Sequence, residues 1–332
     1  MRLFVLYILL VSILYGDKVI KIATYNVENL FDLKRSGYEY KEYIPNSVSE
    51  WNQKTYDIKI KHTAKVIKDI RADIIALQEI ESLEALKELK NRLKRDGLYY
   101  QYYALADAKS TTVKVAILSR YKILYKKEIP INYSFRYRNI LEVKIDVDGN
   151  DVYLFNNHWK SKAGKESERV LCAKKLYSRV KELGFDKNIV IVGDFNSDYE
   201  ENKKIDKRHN NTNGITGIND ILHTDELTTK ASPTLTCKDC LYNLWYDIDK
   251  DKRYTYLFRK RKEALDNIIV TPYTLKNKEF HYINGSISSF KTDYLVVDGK
   301  INRWQMSKRK PKKHLGKGYS DHLPLTAEFL VK

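Results

Sequence analysis

The sequence predicts a single α/β domain of layered strands and helices. Eight short runs rich in Val, Ile, Leu and Tyr have strand length, and amphipathic segments of helical period lie between them. No Pro-, Gly- and Ser-rich linker and no fixed repeat divides the chain, so the elements belong to one layered unit. In order, the strands are expected at Val19–Tyr25, Ile74–Leu77, Val113–Leu118, Ile140–Val147, Val152–Phe155, Ile189–Val192, Leu265–Val270 and Leu325–Val331. Ile60, Ala64 and Ile67 share one helical face, as do Leu83, Leu86 and Leu89 behind a capping Ser82. Glu168–Leu183 is the third helix.

Ahead of the first strand, Arg2 precedes an apolar run from Leu3 to Tyr15 that ends on Gly16. That run of 13 residues is shorter than the roughly 20 that cross a bilayer as a helix. It has the build of a secretory signal, so residues 1–16 are expected to be a signal peptide, 17–332 the working domain, and the destination periplasmic or secreted. Export permits disulfides. Cys237 and Cys240 form the one close pair, for which a local loop disulfide is favoured over zinc, since no further Cys or His stands at suitable spacing. Cys172 falls in a helical pattern and reads as a buried thiol.

Composition narrows the function. With 13 Gly, 6 Pro and 43% hydrophobic residues, a fibrous or disordered chain is excluded. Lys and Arg number 60 against 43 Asp and Glu, a net charge of +17, which suits a polyanionic partner. Ser307–His314 concentrates that charge, and 26 Tyr offer rings on which bases could stack.

The strands stop at polar residues: Asn26 and Glu28, Gln78 and Glu79, Asn157 and His158, Asp194 and Asn196. Asp266 opens a strand, and Asp321–His322 precedes the last. If strands run in both directions, all six sets can meet along one edge. Clustered carboxylates repel, and a hard divalent cation such as magnesium relieves the repulsion through oxygen ligands. Two histidines can move protons near neutral pH. Together these suit phosphoryl chemistry.

Thr24–Glu28, Asp73–Glu79, Asn157–His158, Gly193–Asp198, Leu265–Asn267 and Tyr319–Pro324 resemble, in order, the signature blocks of the endonuclease/exonuclease/phosphatase superfamily typified by deoxyribonuclease I. The resemblance implies a four-layered α/β sandwich, two packed mixed β-sheets flanked by helices. It implies Glu79 as principal magnesium ligand with Asn26 beside it, and Glu28 at a position able to serve a second metal, with Asp321 also among the metal residues; manganese or calcium could substitute. Asp266 and His322 would form a carboxylate–imidazole pair, and the base is left open between Asp194 and His322. Asn196 would donate to the phosphate, His158 would match a general acid, and Arg138, Gln78 and Asn157 would serve substrate binding. One departure concerns His158. The glutamate that pairs with its counterpart in deoxyribonuclease I is absent here, where the chain reads Ser110–Lys114.

The expectation is therefore an exported, magnesium-dependent nuclease cutting DNA, with RNA a second substrate, acting as a monomer without a stable protein partner. The alternatives are a secreted, sphingomyelinase-like phospholipid phosphodiesterase and, further off, a non-catalytic binding protein or toxin nuclease subunit on the same scaffold.

Overall fold

The computed structural model describes residues 16–224, 237, 239–259 and 261–332, so the expected signal peptide lies outside the described residues except for Gly16. β1 (Lys18–Leu30) runs parallel to β2 (Ile74–Ile80), and the 18-residue helix α1 (Gln53–Ile70) crosses between them. α1 starts where Asn52 accepts from the Thr55 N–H while the Thr55 hydroxyl receives the Asn52 N–H. α2 (Leu83–Arg95) is capped by Ser82, as the sequence predicts, and leads to β3 (Tyr102–Leu105) and β4 (Lys114–Ser119).

The second sheet repeats this plan. β5 (Lys122–Ile129), β6 (Ile140–Val147) and β7 (Asn150–His158) are antiparallel, and α3 (Glu166–Leu183) then crosses to β8 (Asn188–Asp194), parallel to β7. After the short α4 (Glu201–Lys204) come β9 (Tyr242–Asn243), a hairpin of β10 (Tyr256–Phe258) and β11 (Arg261–Glu263), and β12 (Asp266–Val270). α5 (Pro272–Lys276), β13 (Phe280–Tyr282), β14 (Ser288–Ser289) and the hairpin of β15 (Val296–Val297) and β16 (Lys300–Ile301) precede β17 (Leu325–Val331). One sheet has the order β13-β17-β1-β2-β4-β3, with β14 also on β17; the other is β5-β6-β7-β8-β12-β9. Both contain parallel and antiparallel pairs.

Alternation along the strands builds the layers. Ile20 and Ile22 of β1, Ile74 and Ala76 of β2, and Val190 and Val192 of β8 share a core between the sheets. Their neighbours turn outward: Ala23, Tyr25, Ile75 and Leu77 pack under α1 and α2, and Ile189 and Ile191 pack against Cys172, Ala173 and Leu176 of α3. The result is helix, sheet, sheet, helix, the four-layered sandwich. Each buried aliphatic side chain stabilises by about 1.5–3 kcal/mol, and a one-residue slip would turn every one to the wrong face, so the register is firmly set.

Cys237 and Cys240 are joined in a disulfide, with Cα atoms 5.6 Å apart, while Cys172 is buried and free. Among the described residues, no helix is long and apolar enough to cross a membrane.

Candidate active site and metal centre

The parity that packs the core also sets the site. Asn26 continues the inward row of β1, Gln78 that of β2, Asn156 and His158 that of β7, and Asp194 that of β8. Because β1 and β2 are parallel, as are β7 and β8, these inward rows run out into polar residues at one edge of the sandwich. β12 arrives antiparallel, so its first residue, Asp266, lies directly opposite the last residue of β8, Asp194. On the other side of Asp194, the register places His158.

Glu79 breaks the rule. By alternation it should face the helices with Leu77, but the pairing shifts register between Gln78 and Ile80, and Glu79 has φ +67°. A bulge of this kind re-aims a side chain. The Asn26 amide donates to Glu79 Oε1 and to Asp194 Oδ2, each at 3.1 Å, bridging the two sheets.

Asp194 is the hub. Its Oδ1 accepts the Asn196 N–H at 2.8 Å, and its Oδ2 lies 3.6 Å from His158 Nε2 and 3.8 Å from His322 Nε2. Burial, then the Asp266 charge, pushes its carboxyl up to about 7. His322 is held by the Ser320 hydroxyl, which accepts the His322 N–H while donating to the Asn26 carbonyl. His322 Nδ1 and Asp266 Oδ2 are 2.7 Å apart. Burial alone would lower the His322 imidazole, but the charges of Asp266 and Asp194 prevail and raise it well above its ordinary value, so it stays protonated.

His158 differs. Its Nδ1 is buried without a hydrogen-bond partner, the structural counterpart of the missing glutamate, and Lys114 reaches the Thr111 carbonyl instead. Burial first, then the charges of Arg138 and His322, push its imidazole well below the ordinary value. It is a neutral ring, suited to hydrogen bonding beside Asp194 and Glu79 rather than to giving up a proton.

The remaining expected residues divide by position. Arg138 stands beside Glu79, His158 and Tyr40, and donates to the Trp159 carbonyl at 3.4 Å. Asn196, at φ +48°, donates its amide to the same carbonyl at 3.3 Å. Gln78 and Asn157 are fully buried beneath the site. Gln78 donates to Thr24 on the neighbouring strand and to Asn156 of the other sheet, and Asn157 donates to the Val192 carbonyl while accepting the Trp159 indole N–H. These hydrogen bonds make both residues supports for the strand ends. Glu28 faces the other way, its oxygens receiving Arg303 and the Trp304 N–H, and Arg303 also reaches Asp321 at 3.3 Å. A guanidinium thus sits where the sequence suggests a second metal.

Two charged residues of this neighbourhood escape motif reading. Arg303 lies between β16 and β17, outside every signature block. Lys59 is fully buried in α1, its ammonium donating to the Val27 and Tyr319 carbonyls at 2.7 and 2.9 Å, and burial lowers it to about 8. Its signal was available: Tyr56, Lys59, Thr63, Val66 and Ile70 make a helical stripe with a lysine in phase with it.

The donor chemistry fits a hard cation. Asp194, Asp266 and His322 bring possible ligand atoms within 4.8 Å of one another, and Asp266 Oδ1 is buried with no partner. Since His322 is charged and bound to Asp266, the oxygens of Asp194 and Glu79, drawn together by Asn26, are the better donors. Glu79, raised by burial and by the Asp321 charge, would be relieved by such an ion.

The sequence profile of the Endonuclease/Exonuclease/phosphatase family matches residues 21–330. The chain belongs to that family. Its fold is similar to a Bacteroides thetaiotaomicron endonuclease/exonuclease/phosphatase family protein, at 16% identity and TM-score 0.57, covering 96% of this chain and 100% of that one. A B. thetaiotaomicron mannosyl-6-phosphatase gives 18% identity and TM-score 0.55, with 94% and 100% covered. D. rerio TDP2, complexed with single strand DNA product, gives 13% and 0.56, with 94% and 98% covered. A comparison with curated proteins returns no match. Members of this family are metal-dependent hydrolases of phosphoester bonds, and the buried Asp194, Asp266 and His322 cluster gives this chain donors able to hold a metal.

Proposed function

We propose that this family member is an exported, magnesium-dependent nuclease that cuts phosphodiester bonds of DNA, working as a monomer. The observation that carries this reading is the union of Glu79, Asn26 and Asp194 with the Asp266–His322 pair in one buried cluster, bordered by Arg138 and Arg303. The basic loop supports a polyanionic substrate: residues 308–313 are exposed, and the segment leading to them begins at Arg303 and Trp304, which grip Glu28. The similar fold of D. rerio TDP2, seen with a single strand DNA product, is consistent with it.

In this reading Arg138 and Asn196 bind non-bridging phosphate oxygens. Asp194 Oδ2 takes a proton from the attacking water, whose oxygen forms the new bond to phosphorus as the bond to the leaving alkoxide breaks. The protonated His322 offers Nε2–H to the charge that accumulates on the phosphoryl oxygens. Magnesium held by Glu79, with Asn26 and Asp194, would supply Lewis-acid charge at a phosphoryl oxygen. Asp266 keeps His322 protonated and oriented, and His158 steadies Asp194 without changing its charge state. The alkoxide is protonated by solvent.

The test is hydrolysis of plasmid DNA, RNA and sphingomyelin vesicles with magnesium or chelator, alongside Glu79→Ala and His322→Ala. Magnesium-dependent nicking of DNA, lowered by at least about 100-fold in both variants, is expected. Cleavage of sphingomyelin with nucleic acid untouched would overturn the nuclease reading, and full turnover in both variants would overturn the site.

A further inference from the structure

Beside the catalytic cluster, the segment between β5 and β6 displays two large aromatic rings to solvent. Tyr133 is 101% exposed and Phe135 68%. The loop that carries them is held by its own hydrogen bonds. Lys109 donates to three of its carbonyls, those of Asn132 at 2.9 Å, Tyr137 at 3.1 Å and Ser134. The Asn132 side chain accepts the Ser134 N–H at 2.9 Å, and the Ser134 hydroxyl accepts the Arg136 N–H at 3.2 Å. Ile131 anchors the entry in the core under α3, and Tyr137 hydroxyl donates to Glu168 at 3.3 Å. An ammonium cap, two side-chain turns and an apolar anchor fix the backbone while the rings stand free.

The same segment ends at Arg138, which stands beside Glu79 and His158, so Phe135 lies within about 11 Å of chain from a phosphate-binding side chain. Arg136, 3.6 Å from Glu168, adds a second guanidinium between them, and part-exposed Tyr40 also meets Arg138. Aromatic rings set among guanidinium groups in one exposed segment match a polymer with both faces and charges: bases stack while phosphates pair. In a duplex the base faces are already stacked on one another, so only unpaired bases can use these rings.

We propose that Tyr133 and Phe135 form a stacking platform for unpaired bases of a single strand whose scissile phosphate rests at Arg138. This rests on the nuclease reading and adds strand preference to it. The rings bury little of their surface in the fold, so replacing them leaves the packed core intact.

The experiment measures fluorescence anisotropy of labelled oligothymidylate and of a labelled blunt-ended duplex, with chelator to prevent cleavage. The parent is compared with Tyr133→Ala/Phe135→Ala and with Tyr133→Trp/Phe135→Tyr. Alanine-substituted protein should lose about 10-fold or more in affinity for the single strand, and much less for the duplex, because each stacked base contributes about 5- to 150-fold. The aromatic replacement should retain single-strand affinity. Equal affinities in parent and alanine variant, with DNA still cleaved by the parent, would overturn the platform and leave the nuclease reading standing. Failure of the parent to bind or cleave any nucleic acid would overturn both. Ring-dependent sedimentation with phosphatidylserine vesicles, with unchanged oligothymidylate affinity, would assign the rings to a membrane surface and overturn the proposal.

Discussion

At the residue scale, protonation states follow from who faces whom. Two histidines approach Asp194 Oδ2 to within 4 Å, yet burial and charge move them in opposite directions: His322 has Asp266 at its back, whereas His158 has an unpartnered Nδ1. The motif blocks supply both residues, but the difference between them rests on Asp266, 56 positions from His322 in the chain, and on an acid that is missing. Removing that support is informative. In Asp266→Asn, kcat for DNA should fall about 100- to 10,000-fold, the range typical of losing one member of an acid–base pair. The alkaline limb of the pH profile should also move to lower pH, because His322 loses its proton sooner without the opposing charge. A profile of kcat against pH with an unmoved alkaline limb would show that Asp266 does not set the charge of His322.

At the scale of elements, the strand ends matter more than the strands. β7 and β8 approach so closely at the site that a Cβ on Gly193, at φ +135°, would lie 2.1 Å from the Asn157 carbonyl oxygen. Gly193→Ala should therefore lower stability by about 2–4 kcal/mol, combining backbone strain with steric displacement of β7. Thermal denaturation checks this, and a melting temperature equal to the parent's would count against the close approach. The glycine before Asp194 thus has a reason beyond sequence pattern. Edge elements are less legible. β5, with Lys122, Lys126 and Lys127, is mostly exposed and lacks the apolar alternation of a half-buried strand, as suits an edge protected against pairing with another chain. β3 and the short hairpins likewise escape the pattern, since they contribute few residues to a core.

For the whole molecule, charge couples folding, cation and substrate. Glu28 and Asp194 have ordinary values of 4.5 and 3.8 and are held to about 7 in the fold. The folded chain therefore binds more protons than the unfolded one across that interval, and the contribution of these groups to stability falls as pH rises through it. A divalent cation beside Asp194 offsets the charge left there, so magnesium should raise the melting temperature more at pH 8 than at pH 5; equal shifts would argue against a cation at Asp194. The excess positive charge of +17 predicts that DNA affinity falls with salt, and that neutralising Lys308, Arg309, Lys310, Lys312 and Lys313 flattens the log–log slope by about 0.9 for each phosphate no longer paired with a cation. Identical slopes would free the loop of any part in binding. The sequence alone determined the layered class, the central strands, the three main helices with the Ser82 cap, and the order of the polar blocks, because apolar period and local turn chemistry are written in neighbouring residues. Only the tertiary structure decided that Arg303 meets Glu28, that Lys59 lies under the site and that Glu79 is turned inward by a bulge. Those pairings join residues as far as 275 positions apart and depend on how two sheets pack, which no local pattern encodes.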